Sequence, residues 1–176
     1  MVSIKKLEKF VESFYQNKDM MHNLSHIKRT LKAVKKITNY YNNIDRDLIV
    51  YSAYFHGIIY EKENLIRKFL ETEGLSGEKI NKIIQVSWES QKEKIPETLE
   101  GKILHDAHLI EGGTTFLIVK SLITGTLRGQ TLEETIEYIE KNILGKFSCY
   151  LPETKGIYNK KEKFAKKFLE DLKENL

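Results

Sequence analysis

Apolar residues recur at three- and four-residue spacing through almost the whole chain, the pattern of helices that each bury one face. Ile4, Leu7, Phe10, Val11 and Phe14 mark a first helix, which stops before the turn residues Asn17-Lys18-Asp19. Asn23 or Ser25 can cap a second, long helix with Ile27, Leu31, Val34, Ile37 and Tyr41 on one stripe, and Asn42-Asn43 ends it. The run from Leu48 to Ile59 is apolar on both sides. It could be a buried strand or a buried helix, and its length favours helix. Glu63 to Leu70 continues helically and stops at Gly74. Ser76-Gly77-Glu78 opens the next helix, with Ile80, Ile83, Ile84 and Trp88 inward. Pro96 stands where helices begin, and Glu97 to Ile110 follows.

Beyond Gly112-Gly113 the pattern continues. Thr114 to Ile123 is β-branched and locally strand-like, but nothing nearby offers a pairing partner, so it reads as helix. Gly125 to Gly129 reads as a polar loop. Thr131-Leu132-Glu133-Glu134 has capping-box spacing and starts a helix running to Leu144. An irregular stretch around Ser148 to Gly156 leads into a C-terminal helix with Phe164, Phe168 and Leu172 on its stripe. No internal repeat and no linker interrupts the pattern. It predicts an all-α fold, a single domain over residues 1–176.

Composition narrows the chemistry. A chain of 176 residues can bury a core without disulfides or a structural metal. The single cysteine, Cys149, excludes a disulfide framework and a cysteine-rich zinc site, so any metal falls to carboxylates and the five histidines. Cys149 has no located base partner that would make it a nucleophile. The net charge of +4 suits an anionic small molecule but falls short of the dense basic face of a nucleic-acid binder. Lys28, Lys32, Lys35 and Lys36 read as a solvated helix face. The basic C-terminal helix, with Lys160, Lys161, Lys163, Lys166 and Lys167, is diluted by Glu170, Asp171 and Glu174. Gly125-Thr126-Leu127-Arg128-Gly129 lacks the Lys-Ser/Thr ending of a phosphate loop. No apolar run is long enough to span a membrane and no signal-peptide core is present, so a cytoplasmic location is expected.

The histidines are unevenly placed. His22 and His26 are four apart, His56 lies inside the apolar run, and His105 and His108 flank Asp106. A lone histidine on an apolar face is commonly a hydrogen-bonded core residue, because a polar group is costly to bury unpaired. The order of the segments gives a sharper reading. His26-Ile27-Lys28-Arg29-Thr30, Ala53-Tyr54-Phe55-His56-Gly57-Ile58 and the segment ending Asp106-Ala107-His108-Leu109 resemble, in the same order, three ligand-bearing segments of the HD-domain superfamily of metal-dependent phosphohydrolases. The flanks, and the tail Thr154-Lys155-Gly156 with its closing helix, are similar to one uncharacterised bacterial and archaeal branch.

The resemblance implies an HD-type helical fold and a divalent ion (Mn, Mg, Fe, Zn or Ni) held by His26, His56 and Asp106. It implies hydrolysis of a nucleotide or other small phosphorylated compound, with His56 and Asp106 catalytic. Arg29, one turn from His26, could hold a phosphate bidentately or pair with an acidic neighbour. His22 could line the site or fix the entry of its helix, and His105 could lie at its edge. At about 100° per residue, His108 falls about 200° from Asp106 and is expected to face elsewhere.

The chain departs from the family in two places. Gly57 stands where the family has the aspartate that gives it its name, and no further histidine lies near Ser87-Trp88-Glu89-Ser90. Glu61 or Glu63 could swing in to replace the carboxylate. The alternative is a degenerate relative that binds an anionic ligand or serves a structural or regulatory role. Gly57→Asp is the substitution expected to restore the site.

Overall fold

Asn23, not Ser25, caps the second helix: its side chain accepts from the Ser25 amide at 2.9 Å. That choice fixes the register of everything the helix carries. The chain is seen here in a computed structural model that describes residues 2–176. Nine α-helices and one short 3-10 turn order the described residues, with no strand among them, so the all-α expectation holds. Contacts cluster into two units, Met1–His108 and Leu109–Leu176.

The first unit holds α1 (Ile4–Tyr15), α2 (Leu24–Ile37), α3 (Arg46–Phe55), α4 (Ile59–Thr72), α5 (Gly77–Glu89) and most of α6 (Leu99–Ile110). Leu7, Val11 and Tyr15 form the buried stripe of α1. The second helix ends at Ile37 and tightens into a 3-10 turn, Thr38–Tyr40, short of the expected Tyr41. Asp45 caps α3 by accepting from the Leu48 amide, and its carboxylate also takes the Lys79 ammonium. Helix α3 packs along α5, where Ser52 and Ser87 are small enough to let the backbones approach. Both hydroxyls bond the Ile83 carbonyl, at 3.0 and 2.7 Å. Between α4 and α5, the Trp88 indole N–H donates to Glu63 at 2.8 Å and its ring meets the edge of Tyr60.

One expectation about this unit is corrected. The apolar run does not form a single helix: it breaks at His56-Gly57-Ile58, between α3 and α4. Residues on both sides of the break are buried, so apolar periodicity carries no mark of it. The start of α6 is set by Thr98, whose hydroxyl accepts from the Gly101 amide at 2.9 Å, while the buried Glu89 carboxylate holds Thr98 in place.

The second unit holds α7 (Phe116–Leu127), α8 (Leu132–Asn142) and α9 (Pro152–Glu174). Its core is Leu117, Ile118, Ile136, Ile139, Ala165 and Leu169. The capping box at Thr131 and Glu134 is present as expected. Helix α7 extends through Gly125, which the two glycines had suggested was loop. A Cβ there would collide with Thr135 of α8, so the glycine permits close helix packing. Helix α9 begins at Pro152 rather than after Gly156, with proline in the first turn where its missing N–H costs nothing. Its buried stripe is Tyr158, Lys161, Ala165 and Leu169, so Phe164 and Phe168 are exposed. Lys161 is not a solvated cation: it is 4% exposed and donates to the carbonyls of Leu109 and Glu111 at 2.9 and 2.7 Å. No helix is long and apolar enough to cross a membrane.

Candidate metal centre

Three helix ends of the first unit bring one imidazole each to a common point. His26 comes from the first turn of α2, His56 from the residue that ends α3, and His108 from the last turn of α6. One nitrogen from each of the three lies within 4.8 Å of the others. The ring centroids are 5.7 Å apart for His26 and His56, 5.0 Å for His26 and His108, and 4.5 Å for His56 and His108. His26 and His56 are buried and His108 is half-buried.

These residues fit a divalent ion. Zinc–nitrogen bonds of about 2.05 Å at tetrahedral angles put ligand nitrogens about 3.3 Å apart, a distance small side-chain rotations reach from here. The donor chemistry also fits, because neutral imidazole is a common ligand for borderline ions.

His56 is the best-braced member. Its Nδ1 is 2.8 Å from the Ser90 hydroxyl. That hydroxyl gives its only proton to the Ser87 carbonyl at 2.7 Å. Gln91 Nε2 also stands 3.2 Å from Nδ1, so this edge of the ring is held by the end of α5 and the residue after it. Outer bonds of this kind orient metal-binding histidines generally. Gln91 grips the same residue by donating to the His56 carbonyl at 2.9 Å.

The next residue is held from the opposite side. The Gly57 amide donates to the Tyr15 hydroxyl at 3.2 Å, and the Gly57 carbonyl accepts from Lys18 Nζ at 2.5 Å. Tyr15 in turn donates to the Tyr54 carbonyl at 3.3 Å. A Cβ at position 57 would stand 2.6 Å from the Tyr15 oxygen. Burial pushes the Tyr15 phenol well up, against a lowering from the Gly57 amide, so it stays neutral. Burial also pushes the Lys18 ammonium down, with Glu61 and Asp19 opposing.

The residues expected from sequence separate into groups. His26 and His56 come together as expected, joined by His108, which helical geometry had turned away from Asp106. Asp106, expected as the third ligand, does not belong to the group of three; it is fully buried, with Oδ1 3.1 Å from His105 Nδ1. His105 is thus beside Asp106 in α6. Arg29 has Nη1 on the Ser25 hydroxyl at 2.7 Å and Nη2 on the Met21 carbonyl at 2.9 Å, contacts that brace the entry to α2. His22 stands 6.3 Å from His26, centroid to centroid, with Nδ1 on the Asp19 carboxylate at 2.7 Å. Burial raises the Asp19 carboxyl, but the His22 ring and the amides of Met21 and His22 outweigh it and hold it low. Neither acidic substitute moves in: Glu63 is held by Trp88 and Arg67, and Glu61 has its side chain 80% exposed.

Sequence reasoning missed Ser90, Gln91, Tyr15 and Lys18.

Comparison with known proteins locates the fold. No family model matches the chain, and no curated protein matches it in sequence. Solved structures do match over almost the full length. At identities of 16% and 21%, the likeness is one of fold. A crystal structure of Bacillus subtilis YpgQ in complex with ADP has a TM-score of 0.75 at 16% identity, over 97% of each chain. Lin1889 from Listeria innocua has a TM-score of 0.73 at 21% identity, over 98% of this chain and 96% of its own.

Proposed function

We propose that the chain is a metal-dependent phosphohydrolase acting on a nucleotide or another small phosphorylated compound. The observation that carries this reading is the convergence of His26, His56 and His108 from three separate helix ends. Buried and half-buried imidazoles seldom gather without a purpose, because each brings a polar group that must be satisfied. When bound, a divalent ion supplies Lewis acidity toward phosphate and water.

The protein's own residues orient and select. Ser90 fixes the ring of His56 from its Nδ1 edge. Gln91, Tyr15 and Lys18 hold the His56-Gly57 backbone. The buried pair His105 and Asp106 lies on α6, one turn or less before His108. The half-buried His22, braced by Asp19, supplies a polar edge beside His26. The likeness in fold to a protein crystallised with ADP supports a phosphorylated ligand, as does the net positive charge.

A second reading is favoured by Gly57: with no carboxylate there, the chain could bind a phosphorylated ligand without turning it over. One experiment separates the two. Purified protein is analysed for metal, then assayed for phosphate or pyrophosphate release from a panel of nucleotides with each of several divalent ions. Turnover that His56→Ala and His108→Ala each abolish is the expected result. Nucleotide binding without turnover under any ion would leave the second reading; absence of both would overturn the proposal.

A further inference from the structure

The net charge of +4 conceals an uneven distribution. Helix α2 carries five basic residues and no acidic one, so the remainder of the chain sums to −1. Lys28, Lys32, Lys35 and Lys36 are all exposed. At about 100° and about 1.5 Å per residue they fall within an arc of about 100°, in a stripe about 12 Å long. Other helices pair their cations along one face: Arg67 with Glu63 at 2.9 Å, Lys82 with Glu78 at 2.7 Å, and Lys141 with Glu137. None of the four α2 lysines forms an ion pair among the described residues.

The stripe works against the helix that carries it. Lys28 and Lys32, and Lys32 and Lys36, are four apart, and like charges at that spacing destabilise a helix. Lys35 and Lys36 gain from the carbonyl end of α2, but Lys28 and Lys32 lie too far from it. A row of cations that the protein itself leaves unneutralised suits an anionic partner.

Length and surface chemistry define that partner. A single nucleotide carries its charge at one end and cannot meet all four lysines, whereas a chain of phosphates can. A helix that lies on a lipid surface needs an apolar face toward the lipid. Helix α2 commits Ile27, Val34 and Ile37 to the core, and no large apolar side chain is exposed on it. Tyr40, in the 3-10 turn that follows α2, is 71% exposed. Its ring can stack on an unpaired base, which a duplex does not offer.

We propose that the lysine face of α2, with Tyr40 beyond its end, is a sequence-independent binding surface for single-stranded nucleic acid. The lysines take backbone phosphates and Tyr40 takes a base. His26 is not part of this surface: it is 4% exposed, on the core side of the same helix. The inference stands apart from hydrolysis and from the three-histidine centre.

The test uses the full chain and a fluorescein-labelled oligothymidylate of about 15 nucleotides, followed by anisotropy over a range of salt concentrations. Four phosphate contacts predict that log K falls with log salt with a slope of about −2.8. Lys28→Gln, Lys32→Gln and Lys36→Gln are each expected to flatten the slope by about 0.7, with circular dichroism unchanged. Lys32→Arg, which keeps the charge, is expected to keep affinity and slope. Tyr40→Ala is expected to weaken binding about fivefold or more and leave the slope unaltered.

No binding at about 50 mM salt, where phosphate contacts are strong, overturns the inference. So does an equal loss of slope in Lys163→Gln and Lys167→Gln on α9, which would make the attraction a property of the whole surface. Tighter binding of a duplex of the same length overturns the single-strand assignment. Vesicles of anionic phospholipid bound in place of the oligonucleotide, with the same lysine dependence, overturn it in favour of a membrane.

Discussion

His56 Nδ1 and the Ser90 hydroxyl are hydrogen-bonded across 2.8 Å, from the end of α3 to the end of α5. The bond orients the imidazole ring. Ser90→Ala removes the partner, and metal affinity is expected to fall about 10- to 100-fold. Isothermal titration with Zn²⁺ measures it, and circular dichroism checks that the helix content is unchanged. Unchanged affinity would show that Gln91 alone holds the ring.

Gly57 is required by its neighbour rather than by backbone conformation. Gly57→Ala puts a methyl group 2.6 Å from the Tyr15 oxygen, and overpacking of this kind costs about 1–3 kcal/mol. Urea unfolding of Gly57→Ala, Tyr15→Phe and the double variant forms a cycle. The two changes are expected to be coupled, with the double variant more stable than the sum of the singles. Strict additivity would place the strain elsewhere.

The helices α7 and α8 share the same device. Gly125→Ala is expected to destabilise the second unit by about 1–3 kcal/mol, because its methyl would meet the Thr135 side chain. Thr135→Ala added to it is expected to restore part of the loss. Thermal unfolding of the two variants reads the effect, and an unaltered Tm for Gly125→Ala would contradict it.

Acid stability has an identifiable contributor at Asp45. Burial raises this carboxyl, but the Lys79 ammonium and the amides of Leu48 and Asp47 outweigh it and hold it below the usual range. A lowered folded-state value means stability that is complete above the unfolded carboxylate value of about 3.9. It is lost as pH falls through the folded value. Asp45→Asn keeps an acceptor for the Leu48 amide and removes the charge. The pair is partly exposed, so the loss at pH 7 is expected to stay below about 1 kcal/mol. The variant is expected to lose less stability than the wild type between pH 5 and pH 2.5 in urea titrations. Parallel acid profiles would remove Asp45 as a contributor.

Much of the fold could be read from the chain, and the failures have physical causes. Leu7, Val11 and Tyr15, or Ile80, Ile83 and Ile84, alternate with charged residues, so the buried face shows itself. Leu48 to Tyr60 does not alternate, because the end of α3 and the start of α4 are both buried; Gly57 was the one cue to the break. Gly125 suggested a loop because glycine is costly in a helix, yet its value lies in the atom it lacks opposite Thr135. On α9 the large Phe164 and Phe168 suggest the buried stripe, yet Ala165 and Leu169 are the residues that pack inward, and the helix starts at Pro152. At the centre, His26 and His56 could be read from flanking residues. His108 could not, because rotation along α6 turns it away from Asp106, which lies outside the three-histidine group.

Trp88 has a practical consequence. It is the only tryptophan in the chain, two residues before the hydroxyl that orients His56. Its indole N–H is bonded to Glu63 on α4, Tyr60 meets its ring edge-on at 4.6 Å, and Lys94 lies over its face. Both helices that hold the indole begin or end at the braced segment. The molecule therefore carries its own optical probe: a ligand that tightens or loosens the turn around His56 would announce itself in native fluorescence, with no label attached.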